Sequence, residues 1–110
     1  MQPSVTVEAL TEAEGRSYLI KIGTPAFEAN VVVPFEEAGR LKEVRETAWL
    51  SGALRIGSTS GVPTWWCVVE DDDERTLSIL IGSDDQSWDI ALQLPLGTID
   101  AVLREIAACA

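Results

Sequence analysis

Between Thr64 and Leu94, three runs rich in β-branched, aromatic and alternating residues follow one another closely: TWWCVV (Thr64 to Val69), TLSILI (Thr76 to Ile81) and WDIALQL (Trp88 to Leu94). Parallel neighbours need a crossover of about a dozen residues or more, and the polar segments EDDDER and GSDDQS that separate these runs are too short for one. The three runs are therefore expected to form an antiparallel meander. Trp88, Ile90, Leu92 and Leu94 fall on one face of the last run, with Asp89, Ala91 and Gln93 on the other. Trp65 and Trp66 are adjacent in a strand, so they must point to opposite faces. One fills the core, and the other either covers the back of the sheet or, if exposed, anchors a partner as interface tryptophans do. Trp65 is the candidate anchor.

Upstream, Ser4 to Leu10 alternates apolar and polar residues and reads as a strand closed by a TEAEG turn. Ser17 to Ile22, ended by Gly23, and Phe27 to Val33 form a further pair. Pro34 has no amide hydrogen for a ladder, but its φ suits a helix start, and Glu36 and Glu37 follow where the helix dipole favours negative charge. Ala38, Leu41, Val44 or Arg45, Ala48 and Trp49 recur at helical spacing, so Phe35 to Leu50 is expected to be an amphipathic helix stopped by Ser51-Gly52. A short strand ALRI (Ala53 to Ile56) and the turn GSTSGVP lead into the meander. After Pro95, Ile99, Val102, Leu103 and Ile106 define the stripe of a final helix reaching about Ala108.

The order βββα-ββββα with short connections implies an α+β fold: a mostly antiparallel sheet of six or seven strands with two helices on one face. A chain of 110 residues suits one domain, 1–110. Tyr18 to Val44 and Leu77 to Leu103 share the order strand, Gly, short loop, aromatic-acid, strand, Pro, helix, which makes 18–44 and 77–103 a pseudo-repeat candidate.

Charge narrows the function. Eighteen acids against eight bases give a net charge of −10, which repels nucleic acid and anionic lipid and favours a basic protein partner. Residues 1–52 hold eight acids and five bases, whereas residues 53–110 hold ten acids and three bases. Most of that second-half excess lies in Glu70, Asp71, Asp72, Asp73, Glu74, Asp84, Asp85 and Asp89, with Arg75 the one base among them. The acids from Glu70 to Glu74, together with Asp84, Asp85 and Trp65, are the candidate partner-binding residues. In a meander the two acidic turns occupy opposite ends of strands about six residues long, roughly 20 Å apart.

Catalytic and metal chemistry find little support. The chain has no histidine, which removes the commonest general base and imidazole ligand. An EF-hand-like loop beginning at Asp71 would need Gly where Thr76 stands and Glu where Gly82 stands. The acidic run reads more simply as a four- or five-residue hairpin turn. GSTSG (Gly57 to Gly61) lacks a P-loop lysine and precedes a strand, and Ser58, Ser60 and Cys67 have no evident base partner. No catalytic residue, metal or cofactor is therefore assigned, and a carboxylate-based hydrolase is the weakest of the alternatives. Cys67 and Cys109 match neither a disulfide framework nor a zinc spacing and are read as reduced thiols. MQPSVTVEAL has neither the basic nor the apolar region of a secretory signal, and no apolar run is long enough for a membrane span, so a cytoplasmic protein is expected.

The strand-Pro-helix order, the GxLxxG-like return Gly52-Ala53-Leu54-Arg55-Ile56-Gly57, the meander and the final helix resemble WapI-type immunity proteins encoded beside bacterial polymorphic toxins. The resemblance spans roughly residues 17–108; the phenylalanine-and-DQT signature of that type is absent. It implies a small, acidic, cytoplasmic, non-enzymatic inhibitor that binds a toxin domain tightly; a monomer or homodimer is expected. The alternative expectation is a structural or assembly subunit that homo-oligomerises through a sheet edge or an exposed tryptophan.

Overall fold

In the computed structural model, which describes residues 2–12 and 15–109, the fold is α+β. Ala13 and Glu14 of the expected TEAEG turn lie outside the described residues. Seven strands form one antiparallel sheet in strict sequence order: β1 Ser4–Glu12, β2 Gly15–Gly23, β3 Glu28–Pro34, β4 Leu54–Thr59, β5 Val62–Asp71, β6 Glu74–Gly82 and β7 Trp88–Pro95. Every expected strand is present, most of them longer at one or both ends.

Turn geometry sets the register of the meander. The β4–β5 and β5–β6 connections are two-residue turns, Ser60-Gly61 and Asp72-Asp73, in which both residues have positive φ. Such turns match the right-handed twist of the flanking strands. The acidic run is thus not a four- or five-residue loop: Glu70, Asp71 and Glu74 belong to the ladder, with Glu70 opposite Arg75 and Asp71 opposite Glu74.

The segment after Pro34 corrects an expectation. Phe35–Glu46 is a 3-10 helix, not an α-helix, and it does not run to Leu50. Its inward residues Phe35, Ala38, Leu41 and Val44 are spaced by three, which matches the three residues per turn of the tighter helix. At Thr47 and Ala48 the chain is extended: Ala48 pairs in parallel with Val68, and the Val68 amide donates to the Thr47 carbonyl at 2.8 Å. A single 3-10 turn, Trp49–Ser51, then ends at Gly52. The final helix, α1 (Gly97–Cys109), is α-helical as expected, with Ile99 and Val102 fully buried.

The core lies between one sheet face and the two helices. Ile20, Ile22, Val31, Val33, Ile56, Trp66, Leu77, Ile79 and Leu94 supply the sheet side, while Leu41, Val44, Ile99 and Val102 supply the helix side. Burying side chains of this size contributes roughly 1.5–3 kcal/mol each. Helix α1 packs chiefly on β1, where the Cys109 thiol donates to the Val7 carbonyl at 3.2 Å.

A kink in β4 bends the sheet. The register with β5 shifts between Arg55 and Ser58, and Gly57 adopts φ +71°. A Cβ there would lie 2.5 Å from the Val32 carbonyl oxygen, so only glycine fits this close approach. The kink withdraws the Ile56 carbonyl from the ladder, and the Thr64 hydroxyl and the Trp66 indole N–H (3.0 Å) both donate to it. The Gly57 amide donates to Glu37 Oε1 at 3.0 Å. Both of these backbone groups are therefore satisfied, as burial requires.

A second irregularity changes the outlook of a tryptophan. In β7, Ile90 pairs with Ile81 but Trp88 pairs with Gly82, which leaves Asp89 as an extra residue. The bulge breaks the alternation, so Trp88 does not share the face of Ile90, Leu92 and Leu94 as the sequence pattern predicts. Its ring instead meets Trp49 edge-on, with centroids 5.4 Å apart.

Candidate functional site

Trp66 faces the core and is fully buried, which places Trp65 on the opposite face. Trp65 is half-buried there, and its indole N–H donates to the Gly82 carbonyl at 3.1 Å. The candidate anchor is therefore tied to the molecule's own backbone, where the β6–β7 loop leaves the sheet.

Asp84 and Asp85 belong to that same loop and are also engaged internally. Asp84 Oδ1 accepts from the amides of Gln86 (2.8 Å) and Ser87 (2.7 Å), closing a local turn. Asp85 Oδ2 accepts from the Ala53 amide at 3.1 Å and fastens the loop to the chain entering β4. Burial pushes the Cys67 thiol up to about 11, and the negative charge of Asp85 adds to the shift. These two carboxylates hold a loop in place.

Glu70, Asp71, Asp72, Asp73 and Glu74 stand differently. All five are exposed at the tip of the β5–β6 hairpin, and none makes a side-chain hydrogen bond or ion pair within the described residues. The neighbouring cation, Arg75, donates to the Arg45 carbonyl at 2.8 Å, and Arg45 is itself paired with Asp100. The tip is therefore left largely unneutralised. The Asp84–Asp85 loop leaves β6, Glu74–Gly82, at the end opposite the tip. Its Asp85 carboxylate folds back to the Ala53 amide and acts on the Cys67 thiol in the middle of β5, so the roughly 20 Å expected from strand length does not by itself set the distance between the two regions.

Beside the acidic tip lies a feature that the sequence reading missed. A cleft of about 450 Å³ is lined by the apolar Ala48, Trp49, Leu50, Val68 and Val69 and by the charged Arg45, Glu46, Glu70 and Arg75. Leu50 is 96 % exposed, an unusual position for a large aliphatic side chain. Its exposure follows from the pairing of Ala48 with Val68, which ends the helix early and turns Leu50 outward. No local signal marks it, because the contact that exposes it joins residues distant in sequence.

Among the described residues, no group of three or more Cys, Asp or Glu side chains is arranged to hold a metal ion, and no helix is long and apolar enough to cross a membrane. The arrangement places an exposed negative tip beside a cleft of mixed apolar and charged lining. No protein-family model, no characterised protein and no solved structure matches the chain.

Proposed function

We propose that this protein is a non-enzymatic binding protein, an immunity-type inhibitor that covers a basic toxin domain with the acidic end of its β5–β6 hairpin. The observation that carries the reading is the pairing of five exposed, unneutralised carboxylates, Glu70 to Glu74, with the exposed Leu50 and its cleft. An apolar centre gives a complex its lifetime, and a charged rim steers encounter with a partner of opposite sign. Nucleases among toxin domains carry basic phosphate-binding sites, the chemistry that such a rim complements. On this reading the protein works in the cytoplasm, as a monomer or homodimer, with both thiols reduced.

The test identifies the neighbouring gene and, where it encodes a basic toxin-like protein, measures binding to that protein. Association is expected at nanomolar Kd, weakening at least tenfold between low and high salt. Leu50→Asp should slow no encounter but shorten the complex's lifetime, whereas replacing Asp71, Asp72 and Asp73 with Asn should lower the association rate. Unchanged binding by both variants, or no binding by the wild-type chain, would refute the proposal.

A further inference from the structure

At the other end of β5 the sheet contains a gap. Strand β3 pairs with β2 along its whole length, from Pro34 opposite Ser17 to Glu28 opposite Gly23, but meets β4 only at Val32 opposite Ser58. Had the ladder continued, Thr59 and Ser60 would lie beside Val31 and Asn30. The chain instead turns at Ser60-Gly61 into β5. On its β4 side, Glu28 to Val31 has no ladder partner among the described residues.

A cleft of about 540 Å³ fills this gap. Strands β3 and β7, four places apart in the sheet, both line it, so the sheet is strongly curled there. Its apolar lining includes Ala29, Val62, Ile81, Ile90 and Leu92, and Ile90 is 51 % exposed. Glu28 and Asp89 are its charged residues, and no Lys or Arg lines it.

Each property restricts the occupant. Alternate residues of a strand direct both N–H and C=O to the same side, so the free edge of β3 presents a ladder spaced for another strand. An aliphatic small molecule would leave that ladder unpaired, and a nucleic acid would meet two carboxylates. A second copy of this chain brings a net charge of −10 to an already acidic slot. We infer that the slot binds an extended peptide segment of alternating apolar and basic residues, added as a strand beside Glu28 to Val31. Its apolar side chains pack on Ile90 and Val62, and its Lys or Arg side chains face Glu28 and Asp89. The site is independent of the Leu50 cleft, because the ten residues of β5, Val62–Asp71, separate the two.

The probe is a blocked peptide of about seven residues alternating valine and lysine, titrated into the full chain by NMR. Amide shifts should be confined to Glu28–Val31, Thr59–Val62 and Ile90, with slower hydrogen exchange along β3. N-methylation of alternate peptide amides should weaken binding about tenfold or more, as should Ile90→Lys, while Glu28→Gln with Asp89→Asn should weaken it several-fold and flatten its salt dependence. Shifts centred on Glu70–Glu74, or equal binding by the N-methylated peptide, would overturn the inference. So would a concentration-dependent dimer, seen without peptide by sedimentation, that Ile90→Lys abolishes.

Discussion

The two acidic regions at the ends of β6 differ in what their carboxylates do. At the Ser83–Ser87 loop, Asp84 and Asp85 are spent on backbone amides of the loop and of Ala53. At the Asp72–Asp73 tip, five carboxylates face solvent without a hydrogen-bond partner among the described residues. Sequence charge alone treats these regions alike; only the hydrogen bonds separate a carboxylate that holds a loop from one free to meet a partner.

The largest expected effect probes the loop end through pH. Because the Cys67 thiol is raised from 9.0 to about 11, the unfolded chain releases its proton first as pH rises. The stabilisation is fully present below pH 9 and is lost between about pH 9 and 11, roughly 2–3 kcal/mol in total. The difference between wild type and Cys67→Ala in urea unfolding, followed across that range, reads it directly. Next comes Asp85→Ala, which leaves the Ala53 amide without its acceptor and should cost about 2 kcal/mol by the same assay. It should also speed alkylation of Cys67 at fixed alkaline pH, since one cause of the raised thiol is removed. The smallest effect has the opposite sign and lies at the tip. Asp73→Gly, at φ +67°, relieves an uncommon conformation for a residue with a side chain and should stabilise the fold by about 0.5–1 kcal/mol. If Asp85→Ala is neutral while Asp73→Gly is damaging, the assignment of holding and free ends is reversed.

Much of the fold was legible because strand alternation and turn chemistry are local. All seven strands, the antiparallel order and the final helix follow from residues within each segment. The errors came where one segment is defined by another. The spacing of Phe35, Ala38, Leu41 and Val44 favours a 3-10 helix, yet Ala38, Leu41 and Val44 also match α-helical spacing to within a residue. The end of that helix depends on Val68. The turning of Trp88 depends on an extra residue counted against β6, which alternation along β7 cannot register. At the candidate site, the charge of Glu70 to Glu74 was plain in the sequence, whereas the exposure of Leu50 and the gap beside β3 arise from pairings that begin or fail elsewhere.

The packing of α1 on β1 orders events during synthesis. Each hairpin can pair as it leaves the ribosome, because its partner strand is its neighbour in the chain. Val5 and Val7 nevertheless pack into a core whose α1 side follows every strand. The earliest strand to emerge thus waits for the latest helix before its apolar face is covered, and in that interval the nascent chain has most to gain from a chaperone.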